Sequence, residues 1–248
     1  MQNVFMRKEK KYIITADQGE CLQKLTAQRM KIDQHGEYIL QNLYYDTDDW
    51  EIIRESMDKP LYSEKLRLRF YGEYQTDSMG FLELKKKYKG ITYKRRIEFP
   101  MEHFRKCRLN ETISRFDSQI SREIRFFLER KTVSEKMYIA YKRLAYTGTD
   151  DIGLRVTFDR DIRFKLCSVN NADYFTQNND NHNFILGQNQ LLMEIKITGA
   201  IPLWLARALN ENNIFPISFS KYGACYAKHT QALHSGQSFA QGEAGNAA

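Results

Sequence analysis

The chain has 248 residues, of which 42% are hydrophobic, 13% aromatic and 28% charged, and its formal net charge is +7. This length is enough for a sizeable core, and the positive charge favours a polyanionic partner. The four cysteines form no C-x-x-C pair, which excludes a zinc ribbon and the C-x-x-C redox motif. The sequence has no apolar run of about 18 residues, so no membrane span is expected. The scattered cysteines and the absence of an apolar signal core predict a cytoplasmic protein.

Secondary structure is predicted from hydrophobic periodicity and from turn residues. In chain order the pattern predicts strand 5–14, helix 17–31, strand 39–46, helix 48–57, strands 65–72, 81–88 and 91–99, helices within 101–131, strands 138–146, 154–162 and 191–198, and helices 202–212 and 220–233. Asp17 is the expected N-cap of the first helix, with Glu20 at the capping-box position. Residues 168–190 are expected to form a loop.

Cations alternate with apolar residues along many of these strands, as in KLRLRFYG at residues 65–72. Alternation at period two places the charges on one face of each strand. Like charges on adjacent strands repel each other, so such a face is costly unless it binds an anion. Two interpretations remain open from the pattern: an antiparallel sheet with a solvated outer face, or a closed barrel with a basic bore and helices outside.

Several segments, taken in order, resemble one family. They are RKEKKY (7–12), KLRLR (65–69) with YG (71–72), LELK (82–85), KRR (94–96), YKR (141–143), LRVTFD (154–159), MEIK (193–196) and SFSKY (218–222). This set is similar to the VTC domain, the catalytic domain of the vacuolar transporter chaperone polyphosphate polymerases. That family belongs, with the CYTH proteins, to the triphosphate tunnel metalloenzymes. The matches span nearly the whole chain.

The resemblance implies an α+β fold in which antiparallel strands close into a tunnel-like barrel with a basic interior and helices packed outside. Residues 1–233 would form this single domain, followed by a disordered tail at 234–248. The implied activity is transfer of the γ-phosphate of ATP onto inorganic polyphosphate, with release of ADP and dependence on Mn²⁺ or Mg²⁺. No nucleic-acid partner is expected.

The resemblance also implies roles for individual residues. The catalytic, phosphate-binding cations would be Lys11, Arg67, Arg69, Lys85, Lys94, Arg143, Arg155 and Lys196. Further substrate contacts would come from Arg96, Tyr141, Ser220 and Lys221. Glu194 would hold the divalent metal, whose preferred ligands are oxygen atoms. Glu83 is either a second metal ligand or, as we favour, a salt-bridge partner that aligns Lys85 and Lys94.

Chemistry independent of the family agrees with this interpretation. Phosphoryl transfer depends on charge neutralisation and positioning more than on covalent help from the protein. The glycine motifs G-x-x-x-x-G-K-[ST] and G-x-G-x-x-G, which bind nucleotides in other folds, are absent. The alternative function is a tunnel triphosphatase, whose members resemble E-x-E-x-K in the first strand, where this chain has Arg7. A non-catalytic polyanion-binding protein would not need Glu194 among the cations.

Overall fold

The structure is a computed structural model that describes residues 8–75, 77–89, 91–102, 109–149, 153–167 and 183–235. The strands are β1 (Lys8–Thr15), β2 (Met30–Asp46), β3 (Tyr62–Tyr71), β4 (Met79–Tyr88), β5 (Ile91–Pro100), β6 (Ser134–Gly148), β7 (Arg155–Leu166), β8 (Asn183–Phe184) and β9 (Gln190–Ile197). The helices of the described chain are α1 (Ala16–Ala27), α2 (Glu51–Met57), α3 (Leu109–Ser114), α4 (Gln119–Arg130), α5 (Leu203–Glu211) and α6 (Lys221–His234).

The strands form a large sheet in the order β1-β9-β7-β6-β2-β3-β4-β5, with β8 paired to β7. The pairs β1–β9, β7–β9, β2–β3, β3–β4 and β4–β5 are antiparallel. The predicted antiparallel α+β class is therefore confirmed. Within the described residues this order is open, with β1 and β5 at its ends, so closure into a barrel remains a prediction.

The chain divides into two compact units, each built from several chain segments. Unit 1 takes the described residues of Met1–Ile39, Tyr141–Ile162 and Leu186–Ser220. Unit 2 takes those of Leu40–Ala140, Arg163–Ile185 and Lys221–Ala248. The predicted single domain of residues 1–233 is not tested by this division.

The core of each unit lies on the apolar side of its strands. In unit 1, Val156 and Ile195 pack with Leu22 of α1 and Leu205 of α5. In unit 2, apolar residues of β3, β4 and β5 pack with residues of α2, α3 and α4. The apolar stripe predicted within 101–131 is part of this core, because Ile120, Ile124, Phe127 and Leu128 all pack there. Helices thus cover the apolar faces and leave the charged faces for other contacts.

Two local expectations are corrected by the structure. The N-cap of α1 is Thr15, not Asp17, and its capping-box partner is Gln18, not Glu20. The Thr15 hydroxyl accepts from the Gln18 backbone at 3.2 Å, and the Gln18 side chain accepts from the Thr15 backbone at 3.0 Å. Thr15 ends β1 in an extended conformation, so the helix follows the strand without a loop.

Strand β2 begins at Met30, nine residues before the predicted start at residue 39. Its first half is mostly polar and exposed, so hydrophobic alternation could not reveal it. Much of the predicted loop 168–190 lies outside the described residues, as does most of the predicted tail. No helix in the described part of the chain has the length and apolar character needed to cross a membrane.

Candidate functional site

Eight charged or polar residues of unit 1 share one side of its strands, which we call face 1. Face 1 comprises Glu9, Lys11, Arg143, Arg155, Thr157, Asp159, Glu194 and Lys196. Cross-strand register brings them into two rows, Lys11–Glu194–Thr157 and Glu9–Lys196–Arg155. Because side chains alternate along a strand, the core residues between them point to the opposite side.

Glu9 lies between two of the predicted phosphate-binding lysines. Its carboxylate is 3.1 Å from Lys11 Nζ and 3.7 Å from Lys196 Nζ. Lys11 Nζ also donates a hydrogen bond to the carbonyl of Phe219 at 2.8 Å. These contacts hold both ammonium groups on face 1.

Arg143 is the buried centre of face 1. Its guanidinium makes a bidentate pair with Asp159 at 2.6 and 2.7 Å, and Nη2 is 3.6 Å from Glu194. Burial alone would lower the pKa of Arg143, but Asp159 holds that pKa well above its ordinary value. Asp159 is thus the structural partner of Arg143 on face 1. The Thr157 hydroxyl, opposite Glu194 in the register, is buried without a hydrogen bond within the described structure.

Glu194 is the predicted metal ligand. The described residues contain no group of three or more acidic, histidine or cysteine side chains that would form a complete metal cage. Mg²⁺ and similar hard cations are commonly held by one or two carboxylates together with substrate phosphates and water. The donor set around Glu194 therefore fits a cation shared with a phosphorylated substrate, and does not fit a structural metal site.

Arg155 is held by a residue that sequence reasoning missed. Its Nη2 donates to Asp33 at 2.8 Å. Asp33 belongs to the polar first half of β2, which no periodicity identified. The pair orients the guanidinium while leaving 37% of the Arg155 side chain exposed.

Seven charged residues of β3, β4 and β5 form a second surface, in unit 2, which we call face 2. Face 2 comprises Lys65, Arg67, Arg69, Glu83, Lys85, Lys94 and Arg96. The register gives two rows of directly opposed residues, Arg67–Glu83–Arg96 and Lys65–Lys85–Lys94. The second row places three lysines side by side.

Glu83 is the central anion of face 2. Its Oε2 accepts from Arg67 at 2.7 Å, and its Oε1 lies 2.6 Å from Lys94 Nζ and 2.7 Å from Arg96 Nη2. The carboxylate is buried, and burial alone would raise its pKa, but Arg67, Arg69 and Lys94 hold that pKa well below its usual value. Glu83 is thus a salt-bridge partner of Lys94, as the favoured interpretation held.

The ammonium group of Lys94 has a lowered pKa of about 8. Desolvation is the main cause of the lowering, and the neighbouring charges of Arg67 and Arg96 act in the same direction, whereas the pair with Glu83 raises the pKa. An anion bound beside Lys94 would favour its charged form.

The two arginines of β3 are oriented by polar residues of β2. Arg67 Nη1 donates to the Tyr44 hydroxyl at 3.0 Å, and Arg69 Nε donates to Asn42 Oδ1 at 2.9 Å. Asn42 in turn donates to the carbonyl of Ile139 at 3.1 Å. Sequence reasoning missed Asn42 and Tyr44, although their shared parity in the predicted strand 39–46 was a usable signal.

The remaining predicted site residues lie at the ends of these segments. Tyr141 is buried in β6, with the Arg143 guanidinium 5.3 Å from its ring centre. Lys221 is the first residue of α6, and Ser220 directly precedes it. Arg7 lies outside the described residues. The roles assigned from the resemblance to the eight catalytic cations, the four further substrate contacts and Glu194 remain predictions.

The antiparallel α+β fold carries Lys and Arg residues grouped around buried carboxylates, and such cations are the side chains that bind phosphate groups in proteins. The model of the VTC domain matches residues 6–230. The chain therefore belongs to the VTC domain family, and the resemblance predicted from the motifs is confirmed. The comparison with curated proteins found no match.

Solved structures are similar to this chain at low sequence identity, and the one with a TM-score above 0.5 supports the fold. A Bacillus halodurans protein, named as a candidate adenylate cyclase, aligns with a TM-score of 0.51 and 12% identity over 88% of this chain and 94% of its own. A Vibrio parahaemolyticus protein of the same description gives 0.46 and 13% over 91% and 99%. A Pyrococcus horikoshii protein gives 0.44 and 14% over 90% and 99%.

Proposed function

We propose that this protein is a polyphosphate polymerase that transfers the γ-phosphate of ATP onto a growing inorganic polyphosphate chain and releases ADP. The observation that carries the proposal is the row Lys65–Lys85–Lys94 beside the row Arg67–Glu83–Arg96. Directly opposed like charges destabilise a sheet. A polyanion bound across these rows would neutralise the opposed positive charges.

The residue roles in this proposal are those that the family resemblance implies. Arginines offer forked donors to phosphate oxygens and lysines act as point charges. The proposed phosphate ligands are Lys11, Arg67, Arg69, Lys85, Lys94, Arg143, Arg155, Lys196 and Lys221, with Arg96, Tyr141 and Ser220 as further contacts. We also propose that the sheet closes into a tunnel lined by these residues, as the family resemblance implies.

A divalent cation is part of the proposal. Glu194 would hold Mn²⁺ or Mg²⁺ together with the substrate phosphates. The bound cation would neutralise charge on the transferred phosphoryl group. Arg143, fixed by its bidentate pair with Asp159, would keep its guanidinium beside Glu194 and available to a substrate phosphate.

The products distinguish this proposal from a tunnel triphosphatase. A hydrolase positions water opposite the scissile bond, whereas a polymerase must place an acceptor phosphate there and neutralise its charge as well. With ATP and Mn²⁺ we expect ADP to accumulate with an equal amount of polymer phosphate and little free phosphate. Arg7→Glu, which restores the first carboxylate of the hydrolytic motif, should lower polymer synthesis and raise phosphate release. Release of one free phosphate per ADP by the unmodified protein, with no polymer at any ATP concentration, would identify a triphosphatase.

Binding of a polyphosphate should weaken in alkaline solution because of Lys94. Its pKa near 8 in the free protein means that the ammonium charge is lost as the pH rises through 8. We expect the affinity for inorganic triphosphate to be constant below this pH and to fall by up to about tenfold per pH unit above it. Calorimetric titration at several pH values measures this effect.

Lys94→Arg is the matched variant for that measurement, since arginine stays charged over the whole range. Its affinity profile should be flat where the unmodified protein declines. Parallel declines in both proteins would show that another group is responsible.

A further inference from the structure

Asp46, at the end of β2, is a fully buried carboxylate on which several elements of unit 2 converge. It accepts hydrogen bonds from the backbone N–H groups of Thr47 at 2.8 Å, Ile52 at 2.9 Å and Ile53 at 3.0 Å. Trp50, the N-cap of α2, provides no side-chain cap, so Asp46 satisfies the first turn of that helix from the neighbouring strand.

A further donor to Asp46 comes from a distant part of the chain. The Tyr222 hydroxyl donates to Asp46 Oδ2 at 2.7 Å. Burial raises the pKa of Tyr222 far above its ordinary value, so this hydroxyl keeps its proton. Tyr222 directly follows Lys221 in the first turn of α6. The bond therefore fixes the backbone that carries Lys221.

Tyr222 also connects Asp46 to Arg67. Its ring stacks on the ring of Tyr44 with centroids 4.4 Å apart and planes 15° apart. The Tyr44 hydroxyl accepts from Arg67 Nη1 at 3.0 Å, while Glu83 accepts from the other side of the same guanidinium. Arg67 is thus held between Glu83 and an aromatic pair whose position depends on Asp46.

We infer that Asp46 and Tyr222 are positioning residues that set the places of Arg67 and Lys221 for a bound polyphosphate. This inference rests on the phosphate-binding roles proposed above for Arg67 and Lys221. Neither Asp46 nor Tyr222 needs to touch the substrate. Both residues would strengthen binding, because a cation whose position is fixed beforehand loses less conformational entropy when the phosphate binds.

The decisive variant is Tyr222→Phe. It keeps the ring stacked on Tyr44 and removes only the donor to Asp46. The matched control is Tyr138→Phe in the same unit, which removes another buried hydroxyl, one that donates to the Gln41 side chain. We expect Tyr222→Phe to raise the Kd for inorganic triphosphate about tenfold and Tyr138→Phe to leave it unchanged.

A second variant covers the case in which Tyr222→Phe does not fold. Tyr44→Phe preserves the stack and deletes only the acceptor for Arg67. It should also raise the Kd for triphosphate about tenfold. The Tyr138→Phe control also loses a buried hydrogen bond. A general loss of stability would therefore raise the Kd of the control as well as the Kd of the two test variants.

A measurement without ligand keeps this inference separate from the proposed function. In a nitrogen-15 NMR spectrum, the Arg67 Nε–H signal should shift or broaden in Tyr222→Phe and not in Tyr138→Phe. The Arg95 Nε–H, which bonds Glu123 instead, is the internal reference and should stay unchanged. Failure of the unmodified protein to bind triphosphate would count against the proposed function, and the Arg67 signal would still decide whether Tyr222 positions Arg67.

The inference is overturned if Tyr222→Phe melts at a lower temperature, as the control does, but retains both the triphosphate Kd and the Arg67 signal. That result would give the Asp46–Tyr222 bond a purely structural role.

Discussion

Glu194→Gln should lower ADP release by more than about a hundredfold, since a lost metal ligand removes much of the charge stabilisation in phosphoryl transfer. The substitution preserves the shape of the side chain. Arg143 keeps its bidentate pair with Asp159, so the melting temperature should change little. Steady-state assays with ATP and Mn²⁺ measure the rate, and electron paramagnetic resonance of Mn²⁺ with triphosphate measures the binding.

The matched control for this prediction is Glu20→Gln, on α1 of the same unit. Glu20 pairs with Lys24 on the exposed surface and lies away from face 1. It should retain full activity and Mn²⁺ binding. Unchanged ADP release in Glu194→Gln would assign the metal to a different carboxylate.

Glu83→Gln should lower the free energy of unfolding by about 3 kcal/mol or more, because breaking a buried ion pair from one side leaves uncompensated charge. Here three cations, Arg67, Lys94 and Arg96, would lose their shared counter-charge. Urea unfolding at neutral pH measures the change. If inorganic triphosphate binds face 2 as proposed, it should restore part of the stability, because a ligand of the folded state would supply the missing negative charge.

The control is Glu123→Gln, which loses pairs with Lys86 and Arg95. Those side chains are partly exposed, so we expect a loss below about 1 kcal/mol. Equal losses in the two variants would contradict the central role given to Glu83.

The contribution of Glu83 to the free energy of unfolding should depend on pH, because folding lowers the pKa of this carboxyl group. In the unmodified protein that contribution is complete above the ordinary carboxyl pKa of 4.5 and is lost as the pH falls below this value.

Most of the elements could be predicted because their signals are local. Period-two alternation located β3, β4, β5, β7 and β9 and assigned the residues of faces 1 and 2 on these strands to one side. The apolar stripe of α4 had the period of a helix. The first half of β2 could not be predicted, since a polar, exposed strand has no hydrophobic alternation. The order of the motifs identified the family, which the match over residues 6–230 confirms.

The sequence by itself determined which residues are charged and on which side of each strand they lie, since these depend on neighbours two positions apart. Only the tertiary structure decided which charges meet. Glu83 lies between Arg67 and Arg96 because of the register of three strands. Tyr222 bonds Asp46 across 176 residues of chain. The strength of an ion pair or a buried hydrogen bond depends on distances of a few ångströms, and those distances are set by the packing of segments that carry no local signal of each other.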